Sequence, residues 1–99
     1  MKKLKITKKE DYKYFLEDEI GNKYDFNMSF LDIAEEIGIG DYIVFSDELL
    51  NPKYEGYSKM YTFGDLESRY GKNNISLTDI DVIKVVTKDK EIYLKRLYG

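Results

Sequence analysis

Histidine and cysteine are both missing from this 99-residue chain. Without imidazole it lacks the side chain that most often serves as a general base near neutral pH. Without thiols it has no disulfide, no thiolate nucleophile and none of the sulfur ligands of structural zinc. Proline occurs once, at Pro52, and there is no Ser/Gly linker, no low-complexity tract and no repeat at solenoid or propeller periods. One domain spanning residues 1–99 is therefore expected. No apolar run approaches the ~18 residues of a membrane span. The lysine-rich start, Met1–Lys9, lacks the apolar stretch of a signal peptide behind it. Asn27-Met28-Ser29 and Asn74-Ile75-Ser76 match the glycosylation tripeptide and are read as chance matches in a chain without a secretory signal. Together these absences predict a soluble cytoplasmic protein, and the lack of cysteine agrees with a reducing compartment.

The residues present make up a globular composition. Apolar residues are 42% of the chain and charged residues 35%, the latter above the usual ~25%. Ile, Leu, Val, Phe and Tyr recur throughout, which excludes disorder by composition. The net charge of −3 is unevenly spread: residues 1–9 hold five lysines and no acid, and residues 10–50 hold twelve acids against Lys13 and Lys23. The ends are basic and the first half acidic, a polarity able to orient a partner.

Period-2 alternation dominates the chain. Leu4 and Ile6 share a face opposite Lys3, Lys5 and Thr7. Tyr12, Tyr14 and Leu16 alternate with Lys13, Phe15 and Glu17, and Tyr24, Phe26 and Met28 repeat the pattern after Gly21-Asn22, a two-residue hairpin signal. This pattern predicts three sequential antiparallel strands. Ser29 then caps an expected short helix with Phe30, Ile33, Ala34 and Ile37 at helical spacing, closed by Gly38. Tyr42–Phe45 is apolar on both faces and reads as a central strand. Ser46–Leu50 reads as a helical turn stopped by Asn51-Pro52, and 57–63 as a strand. A second short helix is expected from Gly64-Asp65 to near Gly71. Asp81–Thr87 and Glu91–Tyr98 flank Lys88-Asp89-Lys90 as a closing hairpin, with Ile83 and Val85 inward in the first arm and two of Ile92, Leu94 and Leu97 in the second.

The sum is a mainly β domain with short helices, a small curled antiparallel sheet or β-barrel. Its strand–strand–strand–helix–strand order resembles the oligonucleotide/oligosaccharide-binding (OB) barrel. The segment Gly40-Asp41-Tyr42-Ile43-Val44-Phe45 resembles the opening strand of SH3-like barrels, the alternative architecture.

Ten tyrosines are present, four of them between Tyr54 and Tyr70 with basic residues interleaved. Tyr54, Tyr57, Lys59, Tyr61, Arg69 and Tyr70 are the candidate binding residues, because aromatic faces stack on bases or sugars while cations hold phosphates. The same composition suits a core or a protein interface, where tyrosine is enriched, and the segment's small net charge favours a protein partner over nucleic acid. The basic ends would place Lys2, Lys3, Lys5, Lys8 and Lys9 beside Lys84, Lys95 and Arg96 if the first and last strands were neighbours. Lysine at a sheet edge also deters aggregation. Glu17-Asp18-Glu19, Glu35-Glu36, Asp47-Glu48 and Asp79/Asp81 read as solvated loops and caps, since Val82-Ile83 break any calcium-loop spacing. No phosphate loop, nucleophile elbow or activated serine is present. The expectation is a non-catalytic binding or assembly module without cofactor or metal. It would act through a protein partner or by self-association at segment 51–72, away from membranes, with single-stranded nucleic acid or oligosaccharide as the alternative ligand.

Overall fold

A computed structural model describes residues 1–11, 13–27, 37–49, 61–71, 73 and 75–93, with the backbone alone at Tyr61 and Ile80. Seven strands form one sheet: β1 (Lys2–Glu10), β2 (Lys13–Glu17), β3 (Lys23–Asn27), β4 (Tyr42–Phe45), β7 (Ile75–Thr78), β8 (Val82–Val86) and β9 (Glu91–Tyr93). A separate ribbon pairs β5 (Glu48–Leu49) with β6 (Tyr61–Thr62), and α1 (Phe63–Tyr70) comes directly after it. The order across the sheet is β7-β3-β2-β1-β4-β8-β9. Every neighbouring pair is antiparallel except β3 and β7, which run parallel.

That order forces the sheet to curl. β7 and β8 are joined only by a 3-10 turn at Asp79–Asp81, yet four strands separate them in the sheet. In a flat sheet they would lie about 24 Å apart, while the chain from Thr78 to Val82 reaches at most about 14 Å. The sheet rolls up accordingly into an open half-barrel. The turn is tied to the end of β4 by the Ser46 amide, which donates to the Asp81 carbonyl at 3.0 Å.

Rolling separates a dry inner face from a wet outer one. Leu4, Ile6, Tyr14, Leu16, Tyr24, Phe26, Ile43, Phe45, Ile75, Leu77 and Val85 are buried inside, as the alternation predicts. A chain of aromatic contacts crosses this core: Tyr14–Phe26 at 6.0 Å, Phe26–Phe45 at 5.4 Å, Phe45–Phe63 at 6.5 Å and Phe63–Tyr24 at 5.7 Å. The last three are edge-to-face, the arrangement aromatic quadrupoles prefer. Phe63 belongs to α1, so this chain also docks the helix on the sheet.

Several local expectations are corrected. Ser46–Leu50 is not a helical turn, because Glu48 and Leu49 pair with Thr62 and Tyr61. Of the strand expected over 57–63 the described residues show Tyr61–Thr62 as β6, and Phe63 opens the helix instead. Thr62 provides the reason: its hydroxyl accepts from the Asp65 amide and the Asp65 carboxylate accepts from the Thr62 amide, each at 3.1 Å, a complete capping box. The β2–β3 connection is wider than Gly21-Asn22, running from Asp18 to Asn22 with Gly21 at φ +89°. Ile83 is only half-buried, because a bulge sets Val82 opposite Phe45 in its place. Asp81 is fully buried rather than solvated. Of the helix expected after Ser29 only Ile37 is described, and it is buried; Tyr12, residues 28–36, residues 50–60, Leu94 and Leu97 lie outside the described residues.

The Tyr14 hydroxyl is buried with no hydrogen-bond partner among the described residues, so it carries a desolvation cost with no return. Tyr14→Phe should therefore leave stability unchanged or raise it by up to about 1 kcal/mol. Phe45→Ala, which empties the middle of the aromatic chain, should lose about 3–5 kcal/mol. Urea unfolding of both variants checks the pair; a clear loss for Tyr14→Phe would show that its hydroxyl is satisfied.

Candidate functional site

Among the described residues, two surfaces carry chemistry-bearing side chains. The first is α1 with the ribbon before it, where the tyrosine-rich segment ends. Of the expected binding residues, Arg69 and Tyr70 are exposed in the last helical turn, Tyr70 at 40%. Tyr61 contributes backbone pairing to Leu49 in β6. Tyr54, Tyr57 and Lys59 lie outside the described residues. The helix presenting Arg69 and Tyr70 is fixed by buried Phe63 and Leu66, by the capping box, and by the Gly71 amide donating to the Glu67 carbonyl at 3.0 Å. Hydrogen bonds from the Thr62 amide and hydroxyl hold the Asp65 carboxyl below its usual range.

The second surface is the outer face of the sheet, and strand register defines it. Tyr93, Lys84, Val44 and Lys3 form one cross-strand row, and Glu91, Val86, Tyr42, Lys5, Glu17 and Lys23 the next. In the third row Lys8 stands opposite Phe15. It does so because a bulge at Thr7 adds one residue to β1 and re-aims the side chains beyond it. The Thr7 hydroxyl secures the bulge by donating to the Phe15 carbonyl at 3.2 Å.

Each outer-face ring carries ammonium groups. Lys3 Nζ lies 4.3 Å from the Tyr42 centroid, Lys84 Nζ 5.3 Å from Tyr93, and Lys8 and Lys13 Nζ each 5.3 Å from Phe15. Two of these lysines are also ion-paired, Lys8 with Glu10 at 2.8 Å and Lys84 with Glu91 at 3.2 Å. The pairing lowers both carboxyls and raises the Lys84 ammonium. Shallow depressions of about 350, 180 and 220 Å³ all include Lys3 in their walls, and another of about 210 Å³ opens beside Phe15. Sequence reasoning placed Phe15 and Tyr42 on strands but did not collect them with Tyr93 as a surface. The signal was the outward parity of each strand, legible only once the strand order is known. The basic ends do converge in part: Lys3 and Lys84 flank Val44 with one strand between them. Lys95 and Arg96 lie outside the described residues.

The carboxylates of this region hold turns together. Asp41 accepts from the Gly38 amide at 2.8 Å. Asp18, its side chain only 6% exposed, accepts from the Asn22 amide at 2.8 Å, the Asn22 side chain at 2.9 Å and the Ile20 amide at 3.1 Å, with Lys2 Nζ 3.6 Å away. Burial alone would raise its carboxyl, but the hydrogen bonds from Asn22 and Ile20 and the Lys2 charge outweigh it and lower it. Tyr24 donates to Glu67 at 3.0 Å, joining α1 to the sheet, and its hydroxyl also lies 3.4 Å from Asp18. Burial, then the two carboxylates, push the Tyr24 hydroxyl far up, so it stays a donor. Among the described residues no group of three or more His, Cys, Asp or Glu is arranged to hold a metal ion, and no helix is long and apolar enough to cross a membrane. No protein-family model matches the chain, and neither a curated protein nor a solved structure matches it.

Asp18 makes a pH prediction. Its folded carboxyl titrates below the ordinary value of 3.8, so the stabilisation is full above that value and is lost as pH falls through the folded value. Asp18→Asn should cost about 1–3 kcal/mol at pH 7 and flatten the acid limb of stability below about pH 4. Thermal unfolding from pH 7 to pH 2 measures it. Parallel curves for the two proteins would show that Asp18 does not contribute to the acid limb.

Proposed function

We infer that this chain is a non-catalytic, cytoplasmic binding and assembly module that engages a protein partner through the tyrosine-rich segment 51–72. The observation that carries this reading is the end of α1, where Arg69 and Tyr70 stand exposed on a helix fixed by its cap and buried face. Tyrosine and arginine are enriched among the residues that dominate interface energetics, tyrosine because its ring buries much area at small entropic cost. The non-catalytic part rests on the missing imidazole and thiol and on the turn-holding work of Asp18, Asp41 and Asp65. The reading includes no cofactor.

A second reading, an OB-like barrel that binds single-stranded nucleic acid or oligosaccharide, is favoured by one specific observation. β1 pairs with both β2 and β4, and β7 and β8 run in the same direction as one interrupted strand, bonded to β3 before the turn and to β4 after it. Such pairing rolls a meander into a barrel-like shape of the kind that binds oligomers.

Native mass measured at rising concentration tests the first reading in its self-associating form. The wild type should form a dimer or larger species, and Arg69→Glu with Tyr70→Ala should weaken it by roughly tenfold or more. A chain that remains monomeric throughout and captures no partner in pull-downs ends this reading.

A further inference from the structure

We propose that the outer face of the sheet is a binding site for single-stranded nucleic acid, with bases stacking on Phe15, Tyr42 and Tyr93. The site is distinct from segment 51–72 and rests on the second reading above, whose ligand it specifies and whose surface it relocates. The geometry that points to it is a diagonal in the strand register. Tyr93 on β9, Tyr42 on β4 and Phe15 on β2 occupy successive outer rows and alternate strands. Each step therefore crosses two strand spacings and two residues, about 12 Å along the sheet. Evenly spaced rings on one side of a surface suit alternate units of an extended polymer. Between and beside them stand Lys3, Lys5, Lys8, Lys13 and Lys84, placed to meet the phosphates that join those units.

The bulge at Thr7 favours a role beyond packing. A strictly alternating β1 would aim Lys8 into the core, but the extra residue turns it onto Phe15. Magnitudes allow a base to replace the lysines on the rings. An exposed cation–π contact contributes about 0.5–1 kcal/mol, whereas a base on an aromatic ring contributes about 1–3 kcal/mol. Displaced ammonium groups remain tethered nearby and pair with phosphate. The chain's net charge of −3 does not set the charge of this face, whose register positions hold Lys3, Lys5, Lys8, Lys13, Lys23 and Lys84 against Glu10, Glu17, Asp25 and Glu91.

Fluorescence anisotropy of the full chain with a labelled oligothymidylate of about 20 nucleotides tests the site. Binding should weaken roughly 20-fold between about 50 and 200 mM salt, the slope expected if three lysines such as Lys3, Lys5 and Lys13 each neutralise a phosphate. Tyr93→Ser, at a position 66% exposed and so safe for folding, should cost roughly tenfold, as should Phe15→Leu. If the wild type fails to bind at the lower salt, the nucleic-acid reading itself falls. If it binds but only Tyr70→Ala or Arg69→Ala weakens it, nucleic acid stands as the ligand and this face is the wrong one. Salt-independent binding, or a preference for maltoheptaose over the oligonucleotide, overturns the ligand class.

Discussion

The junction at Asp79–Asp81 is the constraint on which the rest of this structure depends. Three residues connect strands bonded to opposite parts of one sheet, and no flat arrangement lets so short a segment reach. Once the sheet must roll, every strand acquires one dry face and one wet face. The chain's period-2 pattern then finds a single solution, because a one-residue slip would turn a strand's apolar set outward. The amide of Ser46 on the Asp81 carbonyl fastens the junction where β4 ends. The aromatic chain from Tyr14 to Phe63 fills the hollow that rolling creates.

Curling also separates two kinds of surface that the sequence mixes. The buried inner positions of β1 to β4 are taken by Leu, Ile, Tyr and Phe, while the outer positions mix lysines with Phe15, Tyr42, Val44 and the acids Glu17 and Asp25. Bulges make the exceptions, and each has a local cause. At Thr7 the extra residue brings Lys8 outward, and at the β4–β8 pairing it seats Val82 beside Phe45 and displaces Ile83. The helix is joined to this frame by Phe63 in the core and by the Tyr24 hydroxyl on Glu67. A side chain that is apolar along its ring and polar at its tip can do both, filling the core and reaching the helix.

The inner face was legible in the sequence because burial enforces alternation: Leu4, Ile6, Tyr14, Leu16, Tyr24, Phe26 and Val85 are all where the pattern puts them. The central strand Tyr42–Phe45 and the helix ending near Gly71 were legible for equally local reasons, continuous apolarity and turn chemistry. The features that escaped were decided by partners distant in sequence. Glu48-Leu49 has no strand signal of its own and becomes a strand by pairing with Tyr61-Thr62. Asp79 and Asp81 look like a solvated pair, but strand order draws Asp81 inside. The parallel pairing of β3 with β7 likewise joins segments about fifty residues apart (Tyr24 with Ile75) and leaves no local mark.

The candidate surfaces show the same division. Arg69 and Tyr70 could be chosen from composition, since a helix end exposes its last turn whatever lies around it. The ring row could not, because Phe15, Tyr42 and Tyr93 become neighbours only through the order β9-β8-β4-β1-β2. Their outward parity is nevertheless written into each strand. A strand that merely needed a wet face could use threonine or charge, without the desolvation that a half-exposed ring invites. Placing rings at matched diagonal positions on alternate strands, each beside lysines that solvent could otherwise hold, makes physical sense as a surface prepared for flat, anionic units.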